Sequence, residues 1–369
     1  MKLILHIGMP KCGSSALQSY LSSAAFRQAV GGRVVYVALH GSGAIFHGDD
    51  LVNRAMASVH GYWTSHSGET IADLSPASRA RVRAALRELG QGCEAIIMSN
   101  EGWGPHPHHF GEEGLFAELA EDGFEICALG YVRPQVEWMN SAWWQWGAWT
   151  KAPLPRWVNQ NRPKAQWFHL LQQWMEKSWV RKVEARLLDG DVVQDLMGYL
   201  GYPIQGGMRA NQSLPGVVLR LFQRNRQLRP GSHDSAIEFA LARQLRMHDG
   251  KSPWVIGPKL AEQLLDFYRE DNEKLLNLLL VEQGRAMRVD PRWWDLDPYL
   301  ERKVAPPLAE QLDSEDLESL AVAALEAVYR LDSETRRLQK SEKSHEDNES
   351  ELAKSAPRGK ARAVAPGKE

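Results

Sequence analysis

The opening segment of the chain constrains the fold most, because a short apolar run leads through a glycine-bearing turn into a helix. Residues 3–5, Leu-Ile-Leu, are too few for a helix and indicate a buried strand. Gly8 and Gly13 permit a tight turn whose backbone a ligand can approach closely. A helical period begins at Ala16. Strand, turn and helix start in this order predict a cradle for an anion.

The spacing of this turn is similar to that of a Walker A loop, with one difference. A Walker A loop places its lysine directly after the second glycine, where it meets the β- and γ-phosphates. Here Ser14 and Ser15 follow Gly13, and the lysine of the turn is Lys11. An ATPase with this loop would lack the cation for those phosphates. The turn therefore argues against an ordinary ATP or GTP enzyme.

A known family carries a loop that resembles this turn. The 5′-phosphosulfate loop of sulfotransferases, Pro-Lys-x-Gly-[Ser/Thr]-[Ser/Thr], is matched by Pro10-Lys11-Cys12-Gly13-Ser14-Ser15. The resemblance implies that these residues hold 3′-phosphoadenosine 5′-phosphosulfate (PAPS), with Lys11 on the bridging oxygen that gains charge as the sulfuryl group leaves. Cys12 stands where many members have Ser or Thr, which puts one hydroxyl contact in question.

A second signature lies in the segment YVRPQVEWMNSAWW. Residues 124–132 are mostly apolar and indicate a buried strand, with Arg133 at its carboxyl end and Pro134 as a suitable first helical residue. Ser141 follows Arg133 by eight residues, about two helical turns, so both side chains can reach one phosphate. Sulfotransferases carry this Arg-to-Ser spacing as their 3′-phosphate site, and the resemblance implies that role here.

Strand and helix patterns alternate over the first two hundred residues. Apolar runs occur at residues 34–37, 95–98 and 180–188, and helical periods at residues 14–30, 76–89 and 191–200. This order predicts an α/β fold with a P-loop-like parallel sheet flanked by helices, and ligands at the carboxyl ends of the strands. Residues 40–68 lack a sustained period and are interpreted as an active-site or acceptor-side loop.

The second half of the chain is predicted to be largely helical. Helical periods occur at residues 211–226, 234–247, 259–280 and 314–331. After Ser333 apolar residues nearly vanish, which is typical of a disordered tail. We therefore predict a PAPS-binding core at 1–205, a helical extension of the same domain at 206–332, and a disordered tail at 333–369.

Composition limits the partners and the compartment. A formal net charge of −2 gives no general attraction to nucleic acid or to an anionic membrane. The three cysteines lack the paired spacing of a disulfide framework or a metal site. The amino terminus has too few apolar residues for a signal peptide, and no run reaches transmembrane length. We expect a cytoplasmic protein with no nucleic-acid partner and no stable membrane insertion.

Glu101 is the candidate catalytic base. Sulfuryl transfer needs cations on the leaving phosphate, an in-line acceptor hydroxyl and a base, and in principle no metal. Glu101 ends the run Met98-Ser99-Asn100-Glu101 after a predicted strand. Sulfotransferases place a catalytic His or Glu near that position, and members that act on glycans often use Glu. A carboxylate there can equally cap the following turn.

The histidines offer weaker candidates. His106, His108 and His109 compete with Glu101 for the role of base, and their His-x-His spacing could also suggest zinc. Without further ligands the spacing is a weak metal signal, and a solvated loop is the favoured interpretation. His6, beside the cradle, is interpreted as a hydrogen-bonded structural residue.

Two further features are open to a functional or a structural interpretation. Five of the fourteen tryptophans cluster in one segment, at Trp138, Trp143, Trp144, Trp146 and Trp149. They cannot share one helix face, so we expect some in the core and others exposed, where they could stack on a sugar or on adenine. For any single Trp, packing among the C-terminal helices is the slightly favoured alternative. Arg209 and the segment after it are a candidate second contact to the 3′-phosphate or a candidate lid, although Asn211 or Ser213 could simply cap the next helix.

These features predict a sulfotransferase that moves a sulfuryl group from PAPS to a hydroxyl, with a carbohydrate or glycan as the acceptor. PAPS is the co-substrate and no metal is expected. One alternative is a P-loop kinase for a small molecule, which would require Mg²⁺ and a different lysine. The other is a non-catalytic glycan-binding protein on the same fold.

Overall fold

The structure is a computed structural model that describes residues 1–204, 214–232, 234, 236–245, 252–308, 312 and 314–355. The chain is organised as two compact units. The first unit comprises residues 1–243 and 248–312, and the second comprises residues 244–247 and 313–369. The boundaries predicted at 205 and 332 stay predictions.

A five-stranded parallel sheet is the centre of the first unit. The strands are β1 (Lys2–His6), β2 (Val34–Tyr36), β3 (Ala38–Leu39), β4 (Ile45–Phe46), β5 (Ala95–Ser99), β6 (Glu125–Val132) and β7 (Lys182–Leu187). The sheet has the order β2-β5-β1-β6-β7, and β3 and β4 pair separately as an antiparallel hairpin. The prediction of an α/β fold with a parallel sheet flanked by helices is confirmed.

Helices connect and flank these strands. In the first 204 residues they are α1 (Ser14–Leu21), α2 (Ala24–Val30), α3 (Gly48–Ala57), α4 (Gly68–Ala72), α5 (Pro76–Gly90), α6 (Leu115–Glu121), α7 (Gln135–Gln145), α8 (Leu154–Asn161), α9 (Trp167–Met175) and α10 (Val192–Tyr199). Further along the chain are α11 (Gly216–Arg224), α12 (Ala236–Gln244), α13 (Pro258–Leu275), α14 (Val281–Val289), α15 (Asp297–Leu300) and α16 (Ser314–Ser355). No helix within the described ranges is long and apolar enough to cross a membrane.

The first predicted helix is divided in two. Residues 14–30 form α1 and α2 because two serines interrupt the helical period. Ser22 hydrogen-bonds through its Oγ to both the N–H and the carbonyl of Trp63, and Ser23 caps α2 by accepting from the Phe26 N–H. The break therefore anchors the segment around Trp63 to α1.

The last helix is longer than predicted. The expected end was Leu331, but α16 continues to Ser355, so residues 333–355 are helical where a disordered tail was expected. Glu, Lys and Arg have high helix propensity, and Arg336 pairs with Asp332 one turn earlier. A segment poor in apolar residues can therefore still form a helix. Residues 356–369 lie outside the described residues.

The clustered tryptophans form core. Trp138, Trp143, Trp144 and Trp149 are buried and Trp146 is half-buried, so the expectation of exposed indoles is wrong. Their N–H groups are used in packing: Trp138 donates to the Pro10 carbonyl (2.7 Å) and Trp144 to the Pro253 carbonyl (2.7 Å). Indoles can be buried on several faces of α7 because other elements surround it, including α8 and α13.

Candidate active site

The predicted functional residues follow three neighbouring strands. β1 pairs with β5 and with β6, and His6 lies opposite Ser99 on one side and Leu129 on the other. The turn of residues 7–13 follows β1, Glu101 follows β5, and Arg133 follows β6. Because the strands are parallel, these carboxyl ends meet at one edge of the sheet.

The turn after β1 is shaped to receive an anion. Gly8 and Gly13 have φ values of +53° and +90°, and Lys11 is a non-glycine residue at +61°. Gly13 caps α1 without a side-chain hydrogen bond, and the first turn of α1 has no acidic residue. Since the first N–H groups of a helix have no intrahelical acceptor, those of Ser14 and Ser15 are available to a ligand.

Close backbone packing holds the Glu101 loop against this turn. The Gly104 N–H donates to the Ile7 carbonyl at 2.6 Å, and a Cβ on Gly104 would lie 2.7 Å from the Gly8 oxygen. A Cβ on Gly8 would lie 2.7 Å from the Cα of Glu101. A side chain on either glycine would push the loop that carries Glu101 away from the turn after β1, so both positions require glycine.

We predict that Gly8→Ala costs about 3 kcal/mol in free energy of unfolding, because the methyl group meets backbone and the φ is unfavourable. Gly48→Ala is the matched control, since Gly48 has a φ of +60° and nothing within 4 Å of its Cβ position. That substitution should cost about 1 kcal/mol. Urea unfolding measures both, and equal losses would contradict the packing argument.

Lys11 is the centre of the site. Its Nζ donates to Gln145 Oε1 at 3.2 Å, and its carbonyl accepts from Arg133 Nη1 at 3.3 Å. The Glu101 carboxylate lies close enough to Lys11 for the ammonium and the backbone N–H to favour its charged form. Lys11, which follows β1, therefore contacts Arg133 after β6 and lies beside Glu101 after β5.

Burial acts on the two charged groups in opposite directions. It lowers the pKa of Lys11, an effect that Glu101 opposes and Arg133 reinforces. It raises the pKa of Glu101, which Lys11 partly counteracts. Both shifts bring the two pKa values closer together. Glu101 is consequently a stronger base than an ordinary carboxylate.

The Arg133 guanidinium is held by the Lys11 carbonyl and by Glu137, and these two contacts use only part of its five N–H groups. Its Nη2 lies 3.4 Å from Glu137 Oε2, and Glu137 also accepts from Arg302 at 2.6 Å. Ser141 lies on α7, half-buried and two turns after Arg133. Its contact with a 3′-phosphate stays a prediction. Arg209 lies outside the described residues.

The histidines are placed as structural and solvated residues. His6 is buried, its Nδ1 lies 2.7 Å from Ser99 Oγ, and burial lowers its pKa to about 4. The hydrogen-bonded role predicted for His6 is confirmed. His106 and His108 are exposed and His109 half-buried, with ring centroids 4.3–5.7 Å apart.

Two residues of the site were missed by sequence reasoning. Gln145, which holds the Lys11 ammonium, follows Ser141 by four residues on α7, and that helical spacing could have identified it. Tyr62 lies near Ser15 and Glu101, and both shift the pKa of its phenol. It comes from a segment without periodicity, so no local signal pointed to it.

Comparisons with known proteins do not narrow the assignment. No family model, no curated protein and no solved structure matches the chain. The function must therefore be inferred from the residues at the strand ends.

Proposed function

We propose that this protein is a P-loop-like sulfotransferase that transfers a sulfuryl group from PAPS to a hydroxyl of a carbohydrate or glycan. The contact between the Arg133 guanidinium and the Lys11 carbonyl carries the proposal. It brings two cationic residues from different strand ends to one place, as a nucleotide with phosphates at both ends of its ribose requires. The available N–H groups of α1 support binding of the 5′-group at the same turn.

The residues present supply the parts that this reaction needs. The acceptor oxygen forms a bond to sulfur while the bond from sulfur to the bridging phosphate oxygen breaks, and the acceptor proton passes to the Glu101 carboxylate. The Lys11 ammonium neutralises the charge on the departing oxygen. A carbohydrate acceptor is supported by the carboxylate base, which the family resemblance associates with glycan sulfation; the buried indoles of α7 no longer add to that support.

A thermal-shift comparison tests the proposal. We expect 3′,5′-adenosine bisphosphate to stabilise the protein far more than AMP or ATP, because only the bisphosphate engages both Lys11 and Arg133. At one hundred times its Kd, a ligand of the native state adds about 2.7 kcal/mol. Equal shifts with AMP and the bisphosphate would contradict a two-phosphate site.

The same experiment separates the alternatives. A larger shift with ATP and Mg²⁺, abolished by EDTA, would favour the kinase. Stabilisation by a glycan without any response to nucleotides would favour the binding protein. In either case the assignment of Lys11 and Arg133 to PAPS would be withdrawn.

A further inference from the structure

The Glu137 carboxylate is shared by three arginines. It lies in the first turn of α7, where a negative charge is favourable, and its side chain is only 15% exposed. Its Oε1 accepts from Arg302 Nη2 at 2.6 Å, and its Oε2 lies 3.4 Å from Arg133 Nη2 and 3.8 Å from Arg292 Nη1. One carboxylate therefore connects the arginine that follows β6 to two arginines much later in the chain.

The three contacts differ in strength. Hydrogen bonds between a guanidinium and a carboxylate are ordinarily about 2.7–2.9 Å long. The bond from Arg302 to Glu137 is at least this short, whereas the bond from Arg133 is longer. Arg292 donates from its Nη2 to Asp290 at 2.7 Å, so its charge already has a closer partner. Arg302 is therefore the principal partner of Glu137.

The position of Arg302 does not depend on Glu137 alone. Its guanidinium carbon lies 4.2 Å from the ring centroid of Trp254 and 5.2 Å from that of Tyr299, and the two rings are stacked. Its Nε donates to the Pro298 carbonyl at 3.2 Å. Because aromatic faces attract a guanidinium, these contacts fix Arg302 independently. Arg302 can therefore hold the Glu137 carboxylate in one orientation.

The Arg133 guanidinium is held less tightly. Its Nη1 donates to the Lys11 carbonyl at 3.3 Å, and its Nη2 donates to Glu137 at 3.4 Å. A carboxylate and a phosphate compete for a guanidinium, because each can accept two parallel hydrogen bonds from it. Without Arg302, the Glu137 carboxylate would be free to turn and form such a pair with Arg133. A phosphate would then have to displace it.

We propose that Arg302 is a positioning residue that restrains Glu137 and so keeps the Arg133 guanidinium available to the 3′-phosphate of the co-substrate. This inference rests on the proposed function, which assigns Arg133 to that phosphate. Arg302 need not touch the ligand, because its effect passes through the Glu137 carboxylate. The segment that follows α15 then contributes to the recognition of the 3′-end of the nucleotide.

The affinities of two nucleotides test this role. Arg302→Met should weaken binding of 3′,5′-adenosine bisphosphate roughly three- to tenfold, because Glu137 then competes for Arg133. Binding of AMP should stay unchanged, since AMP has no 3′-phosphate. Methionine keeps an apolar side chain against Trp254. Isothermal titration calorimetry measures both affinities.

Glu137→Gln separates competition from a simple loss of positive charge. The amide oxygen of Gln can still accept from Arg302, but an uncharged group competes poorly with a phosphate for Arg133. In the wild-type background this substitution should raise the affinity for the bisphosphate by at most about twofold, whereas in the Arg302→Met background it should raise it roughly three- to tenfold. If Arg302 acted only through its charge, the two substitutions would be additive.

Arg288→Met is the control, since it removes an exposed positive charge from α14. It should leave the ratio of the two affinities unchanged. Additive effects in the double variant, or equal weakening of both nucleotides by Arg302→Met, would overturn the inference. Arg302→Leu replaces Arg302→Met if that variant does not fold.

The wild-type protein distinguishes failure of this inference from failure of the proposed function. If it binds AMP as tightly as the bisphosphate, the proposed function is refuted and the role of Arg302 with it. If it prefers the bisphosphate and Arg302→Met leaves that preference unchanged, only the role of Arg302 is refuted.

Discussion

Replacing Lys11 by Met should lower kcat/KM for sulfuryl transfer by roughly 10²–10³, the usual cost of removing one donor to a developing oxyanion. Methionine preserves an unbranched side chain of similar length but carries no ammonium to neutralise the departing phosphate oxygen. The turn should persist, because the Lys11 carbonyl still accepts from Arg133 and the Gly104 N–H still donates to the Ile7 carbonyl. Transfer assays with saturating and limiting PAPS measure the loss.

Two comparisons make this prediction specific. Lys151→Met removes an exposed lysine and should leave transfer unchanged. Lys11→Gly also removes the ammonium but relieves the left-handed backbone at φ +61°, so the free energy of unfolding should stay within about 1 kcal/mol of wild type while transfer is lost. A large loss of stability in both Lys11 variants would point to a structural lysine, and full activity of Lys11→Met would refute its role.

The parallel sheet could be predicted because its signals are local. Residues 95–98 form an apolar run after a glycine-bounded helix, and the structure extends that strand by one residue, to Ser99. The division of α1 from α2 could not be predicted, since it depends on the bond of Ser22 to Trp63, 41 residues away. Contacts of that range leave no trace in helical periodicity.

The site follows the same distinction between local and distant signals. The proximity of Lys11, Glu101 and Arg133 could be predicted because each follows a strand, and parallel strands bring their ends together. Tyr62 could not, because its position depends on how the neighbouring residues Trp63 and Thr64 bond to α1. The burial of the Trp144 indole could not be predicted for a related reason, because its acceptor, the Pro253 carbonyl, lies 109 residues further along the chain.

The second large effect is expected at Glu101. Glu101→Gln should lower kcat for transfer roughly 10²–10⁴-fold while retaining binding of 3′,5′-adenosine bisphosphate. Gln has nearly the same shape, and the loop keeps its contact with the turn through the bond from the Gly104 N–H to the Ile7 carbonyl. What the variant lacks is a group that can take the acceptor proton. Glu113→Gln, at an exposed position in the same connection, is the control and should leave kcat unchanged.

The pH dependence of transfer distinguishes a base from a structural carboxylate. Because burial raises the pKa of Glu101, wild-type activity should fall, as the pH decreases, at a higher pH than an ordinary glutamate would give. Because burial lowers the pKa of Lys11, activity should fall again, as the pH increases, below the pH at which an ordinary lysine loses its proton. The rate of transfer plotted against pH should therefore be bell-shaped, and the bell should be narrower than one set by an ordinary glutamate and an ordinary lysine. Glu101→Gln should remove the acidic limb from its residual activity and keep the alkaline one; an unchanged acidic limb would assign the proton transfer to another group.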